Sequence, residues 1–335
     1  MRHVNNYQRI LVSGLLFVLF LVMLIAASKG SYKILIADLL TQNLNVLQKT
    51  VLFDIRLPRV LLAAFVGASL SLSGACLQGL FRNPLADPGL IGVSAGAALG
   101  ATTFIVIGSN WIPKFLIGPY LLPISSIIGS ALVIVVLFFI TRGFGKEGIT
   151  YLLLAGIAVN AFAGVGIGFL TYISDDSELR GLTFWTMGSF GGSNWSTIGI
   201  AMLVISLTSI WIIRDGRKLD ILQLGEAEAF CLGIDIKKLR FNVIISSAII
   251  VGISVSLSGM IGFVGLIVPH LVRMIGGVNH NYVIPGSAIA GATIMVMADL
   301  ISRTLIKPAE LPVGLITSAI GSPFFLYLIF RMRQK

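Results

Sequence analysis

Charge is scarce in this chain. Only 11% of its 335 residues are Asp, Glu, Lys or Arg, against roughly 25% in an average soluble domain. A soluble fold of this size needs far more polar surface to cover its core, so that class is excluded. Cysteine is nearly missing: Cys76 lies inside an apolar run and Cys231 in a polar loop, which leaves no disulfide framework. The three histidines, His3, His270 and His280, are scattered, and no His, Cys and carboxylate cluster has metal-ligand spacing. There is no G-x-x-x-x-G-K-[ST] loop to hold nucleotide phosphates, and no chain of acids crosses the apolar runs as a proton relay requires. An intramembrane enzyme needs a converging catalytic constellation, and none is visible. No catalytic, cofactor-binding or metal-ligating residue is therefore assigned, and any energy source has to be supplied by another protein.

What is present is apolar. Hydrophobic residues make up 56% of the chain and the mean hydropathy is +0.97, an excess that has to face lipid. The 37 glycines fit the same class, because closely packed membrane helices tolerate small residues that weaken helices in water. The net charge of +10 could suggest nucleic acid, but the basic residues sit in short loops between apolar runs and form no stripe.

A bilayer-crossing helix needs about 20 apolar residues. The runs place spans at Ile10–Ala27, Pro58–Leu80, Leu90–Ile107, Tyr120–Ile140, Thr150–Ile173, Ile198–Ile213, Phe241–Ser258, Ile261–Ile275, Val283–Leu300 and Val313–Phe330, ten in all. The eighth is short and carries Pro269. Arg2 and Arg9 before the first run also suit a signal peptide, but its length and the lack of a clean A-x-A site favour a retained helix. With both termini in the cytoplasm, fifteen of the 24 basic residues fall inside and nine outside, which favours that orientation. The outer minority includes Arg56, Arg59 and Arg303. Asp299 sits near the outer end of its helix, within reach of water or Arg303.

The largest inner loop, 214–240, is charged and reads as helical around Leu222–Gly233. It is either a solvated connector or, given two glycines bracketing a short apolar and acidic helix, a docking element. Gly92, Gly96 and Gly100, and again Gly164 and Gly168, recur every four residues, a spacing that lets another backbone approach closely. Ser71-Leu-Ser-Gly74 in span two reappears as Ser256-Leu-Ser-Gly259 in span seven. An offset of five spans reverses direction across the membrane, as inverted repeats in transporters do.

Four stretches become recognisable together: Arg56-Leu-Pro-Arg59; Ser73 through Gln78, Asn83-Pro84-Leu85-Ala86-Asp87-Pro88 to Gly89; Gly262 through Pro269-His270; and Asp299 through Glu310-Leu-Pro312 to Gly321-Ser-Pro323. In this order they resemble the permease subunits of the ABC importers for vitamin B12, ferric siderophores and haem. The resemblance implies an all-α integral membrane protein with ten transmembrane helices and an inverted repeat, like the vitamin B12 permease. It implies one permease domain over 1–335, with residues 214–240 as a cytoplasmic coupling loop. It also implies a multi-pass protein of the bacterial cytoplasmic (inner) membrane, a homodimer with a second permease copy, two ATPase subunits that carry ATP and Mg, and an extracytoplasmic haem- or siderophore-binding protein. No cofactor belongs to this chain.

Residue by residue, the resemblance assigns ATPase coupling to Leu224, Gly225, Glu226, Glu228, Ala229, Leu232 and Gly233. It assigns binding-protein docking to Arg56, Arg59 and Arg303, whose planar forks suit carboxylates; interfacial anchoring is the alternative. Asn83 and Leu85 match a cytoplasmic gate, although Asn83-Pro84 also reads as a turn. Ile149 and Thr150 take the second gate's place, where Ile149 departs from a pair of small hydroxyl residues. The external segment Thr171–Gly192 and the run Asn83–Gly92 look most like the haem-importing branch, with ferric siderophore and vitamin B12 as alternatives and an ATP-independent carrier more remote. Phe184, Trp185 and Met187 would suit a flat porphyrin or, equally, an interfacial aromatic belt. His270 is expected to be structural.

Overall fold

The computed structural model describes residues 5–30, 45–108, 111–113, 118–141, 148–306 and 309–333. The described residues form helices and connections, without a strand. Of the basic residues used to orient the chain, Arg2, Lys33, Lys114, Arg142, Lys146, Lys307 and Lys335 lie outside the described residues.

The helices in chain order are α1 (Asn6–Ser28), α2 (Val46–Phe81), α3 (Val93–Gly108), α4 (Leu121–Thr141), α5 (Gly148–Ile173), α6 (Asp176–Met187), α7 (Trp195–Ile213), α8 (Gly216–Leu222), α9 (Glu226–Cys231), α10 (Ile236–Ser258), α11 (Val264–Gly276), α12 (His280–Ser302) and α13 (Val313–Arg333). Seven are long and apolar enough to cross a membrane, and α3, α11 and α13 are shorter apolar helices. Together they match the ten expected spans in order. Several bounds shift by three residues or more, three of them for evident local reasons. Helix α2 begins well before Pro58, and its turn from Val51 to Arg56 is a π-helix. Helix α11 starts at Val264 because Phe263 is left-handed, at φ 69°. Helix α10 begins at Ile236, where the Asp235 carboxylate accepts a hydrogen bond from the Lys238 N–H at 3.0 Å.

Helix α2 is the hub. Within its apolar window 83% of residues are buried by the rest of the chain, against 11% for α1 and 22% for α4, α5 and α7. The outer helices therefore leave most of their apolar surface to lipid or to another subunit, and α2 leaves almost none. Its partners are α12, α10, α11 and α7. The crossing with α12 depends on small residues: a Cβ on Gly67 would meet the Gly291 carbonyl, and one on Gly291 would meet Ser71 and the Gly67 carbonyl. Without a hydrophobic drive between helices in lipid, such backbone approach and its dispersion contacts hold the pair. Gly96 and Gly129 are related in the same reciprocal way between α3 and α4, and Gly100 abuts the Ser125 carbonyl. The close packing expected of the first glycine stripe is thus realised. A Cβ at Gly164 or Gly168 of the second stripe would meet nothing within 4 Å, so among the described residues that face of α5 is uncovered.

The Ser-Leu-Ser-Gly echo does not occupy equivalent local structure. Gly74 lies inside α2 against the Gly265 carbonyl, whereas Gly259 ends α10 at φ 71°.

Candidate functional site

Two polar centres interrupt this apolar bundle, one at each end of α2. The first gathers around Arg56 and Arg59 in the N-terminal half of α2 and the end of α12. Arg59 Nε donates to Asp299 Oδ1 at 2.8 Å, and its Nη1 donates to both Glu310 oxygens at 2.9 and 3.1 Å. Arg303, one turn beyond Asp299, brings its Nε to 3.3 Å from Oδ2. Donors of Arg303 and Arg56 close the end of α1. Arg303 Nη2 donates to the Ala26 carbonyl at 2.7 Å, and Arg56 Nη1 donates to those of Ala27 and Ser28 at 3.0 and 2.7 Å. The last carbonyls of a helix have no intrahelical donors and carry the negative end of its dipole, so two cations are well placed there.

The three arginines expected to face a docking protein are therefore turned inward. Arg56, Arg59 and Arg303 are 5, 7 and 6% exposed, and Asp299 is fully buried. Asp299 meets two arginines where the sequence reading offered it water or Arg303. Glu310, half exposed, is the member of the cluster that reading left out. Its signal was its place in the last motif, twelve residues before Ser322.

The second centre lies where α2 ends. Arg82 adopts a left-handed conformation, at φ 50°, and the Asn83 N–H donates back to the Gln78 carbonyl at 3.2 Å, closing the helix. The Asn83 side chain then accepts from the Leu85 N–H at 2.9 Å. Asn83 thus makes the turn that Asn-Pro suggests, with Leu85 held exposed beside it. Ile149 and Thr150 stand at the start of α5, and their side chains lie outside the described residues.

Beside this turn, α8 and α9 form a two-helix element within the loop 214–240. Leu219, Leu222 and Ala229 are buried and join the core around α2 and α12. Leu224, Phe230 and Leu232 point out, 67, 73 and 61% exposed. Gly225 and Gly233 bracket α9 with φ of 133° and 81°, conformations in which a side chain is strained. Glu228 is exposed, while Glu226 forms an ion pair with Arg240. Phe230 was missed because an aromatic in an apolar and acidic hexapeptide reads equally well as buried. Cys231 ends α9 in place of lying in a loop.

The segment Thr171–Gly192 holds a helix that apolar periodicity did not reveal. Asp175 accepts from the Glu178 N–H at 2.7 Å and the Glu178 carboxylate accepts from the Asp175 N–H at 3.1 Å, a capping box legible as Asp-x-x-Glu. On α6, Phe184 is exposed, while Trp185 and Met187 are partly buried.

A ten-helix bundle with a small-residue hub and an apolar element displayed at one end is the architecture of a polytopic transport permease. The profile of the FecCD transport family matches residues 14–331, and the chain belongs to that family: it is the permease of an ABC importer. Members of this family are transport permeases that leave ATP hydrolysis to separate subunits. The chain is 43% identical over 98% of its length to the hemin transport system permease protein of Yersinia pestis, covering 97% of that protein. It is 39% identical to a vitamin B12 import system permease protein of Vibrio parahaemolyticus, over 87% of this chain and 86% of the other. A solved inward-facing ABC transporter of metal-chelate type superposes with a TM-score of 0.85 at 35% identity, covering 96% of this chain and 98% of that one.

Proposed function

We propose that this chain carries haem across a bacterial cytoplasmic membrane by alternating access, driven by a partner ATPase and supplied by an extracytoplasmic binding protein. The single observation that carries haem over its alternatives is the near-complete alignment with the hemin permease, at higher identity and coverage than with the B12 permeases. A ferric chelate is the second reading, favoured by the similarity to the metal-chelate transporter. The working unit is a homodimer, consistent with the uncovered face of α5.

In this reading residues 214–240 face the cytoplasm, and Leu224, Phe230 and Leu232 are the apolar contact for the ATPase. Gly225 and Gly233 shape the element, Ala229 anchors it, and Glu228 is the acid free to meet a partner, since Glu226 serves Arg240. Asn83 and Leu85 close the inner gate with Ile149 and Thr150. Docking at Arg56, Arg59 and Arg303 requires partner carboxylates to compete with Asp299, Glu310 and the α1 carbonyls for the same donors.

The test is uptake by proteoliposomes holding the permease, its ATPase and its binding protein. ATP should drive accumulation of hemin and not of a ferric hydroxamate or cyanocobalamin. Uptake of the hydroxamate alone would establish the second reading, and uptake under an ion gradient without the ATPase would remove the importer mechanism.

A further inference from the structure

The two-helix element is attached to the bundle by more than apolar packing. On α8, Asp220 Oδ1 accepts from the backbone N–H of His280 at 2.8 Å and meets the His280 Nδ1 at 2.6 Å. His280 is the first residue of α12, so one carboxylate both satisfies an orphan donor at that helix start and fixes the ring. The ring, itself buried, lies on the bare face of Gly79, where any Cβ would strike its Nε2 edge. One turn on from Leu219, Gln223 Nε2 donates to the Gly79 carbonyl at 2.7 Å. The element is thus tied at two points, to the beginning of α12 and to the end of α2.

From that end the contacts continue to the turn at Asn83. Gln78 Nε2 donates to the Leu266 carbonyl of α11 at 3.1 Å and to the Ala86 carbonyl at 3.3 Å, and its Oε1 accepts from Arg273 Nη1 at 2.5 Å. Gln78 is buried, so these bonds are shielded from competing water. The contacts thus run from α8 to Gly79, then through the preceding residue, Gln78, to Ala86, one residue beyond Leu85. No loose segment intervenes.

We propose that Asp220 and Gln223 are positioning residues for transport: they convert movement of the α8–α9 element into movement of the α2 end and the Asn83–Leu85 turn. The proposal rests on the reading of 214–240 as the ATPase-coupling loop. A merely structural tie would affect stability alone; a transmitting tie sets how much cargo moves per ATP.

The experiment uses the permease–ATPase complex with its binding protein in proteoliposomes, recording ATP hydrolysis and hemin uptake on the same samples. D220A should lower uptake per ATP about tenfold, within the span usual for coupling between sites. D220N, which keeps an oxygen for the His280 N–H, should restore at least half of it. Q223A removes an exposed side chain and should fold normally, with a fall in uptake per ATP of about threefold, toward the weaker end of that span. Wild-type uptake per ATP in both D220A and Q223A overturns the proposal. If D220A fails to assemble, Q223A decides alone. F230C in a C231S background, which removes the exposed native thiol beside it, should cross-link to the ATPase through a thiol- and amine-reactive reagent. Absence of that cross-link removes the coupling-loop reading itself, whatever the tie variants show.

Discussion

Replacing Asp299 by asparagine removes the fully buried negative charge of the arginine cluster. Asp299 is fully buried and lies between two guanidinium groups, Arg59 at 2.8 Å and Arg303 at 3.3 Å, themselves at most 8% exposed. Counting Arg56, the cluster holds three cations and two carboxylates, and the second carboxylate, Glu310, is half in solvent. Removing one partner of a buried ion pair costs about 3–5 kcal/mol, because the other charge stays buried without it. With an unfolding entropy of about 2.1 cal/mol/K per residue, a chain of 335 residues loses roughly 1.4 °C of melting temperature per kcal/mol, so D299N should melt roughly 4–7 °C lower. E310Q is the internal control: water screens its carboxylate, and the exposed-pair value of about 1 kcal/mol or less applies. The assay is thermal unfolding of the purified permease in one detergent at one scan rate, since membrane proteins rarely unfold reversibly. A D299N protein within about 1 °C of the unmodified one, under about 1 kcal/mol on the same scale, would show that the cluster does not hold α2, α12 and α1 together. An E310Q loss as large as that of D299N would refute the burial argument.

Three further outcomes follow from the geometry. G291V should prevent the α2–α12 crossing, because its side chain meets the Gly67 carbonyl and Ser71; overpacking costs about 1–3 kcal/mol or more, and membrane yield and melting should both fall, whereas G199V on α7, where a Cβ meets nothing within 4 Å, should leave them unchanged. Replacing Leu224, Phe230 and Leu232 together by serine should abolish co-purification of the ATPase while the permease alone melts as before, since these side chains contribute area to a partner and little to the core. Burial pushes the Asp87 carboxyl above the usual range, against the opposing hydrogen bond it accepts from the Gly89 N–H at 2.7 Å. The folded state then holds that proton more tightly than the unfolded chain, so stability falls as pH rises from the ordinary Asp value through the raised one. D87N keeps the acceptor for Gly89 and removes the charge; it should gain stability at neutral pH and flatten that slope, as read by melting at stepped pH.

E226R is a poor probe of coupling. Glu226 holds Arg240 of α10, so reversal there would set two cations together between α9 and α10 and disturb the fold. E228R, on the exposed face, perturbs the partner contact alone.

Length and polarity by themselves determined the membrane class, the ten spans and their order, because a bilayer imposes a minimum apolar length and makes every lipid-facing polar group costly. The four motifs carried the family, and the glycines at 96 and 100 carried their packing role, since both depend on residues near one another in the chain. Tertiary structure decided what the buried charges do. Arg59 and Asp299 are 240 positions apart, Asp220 and His280 are 60 apart, and no local pattern says that either pair will meet. Side-chain direction was likewise invisible: whether Arg56 reaches outward or caps α1, and whether Phe230 is core or surface, depends on which helix lies beside it.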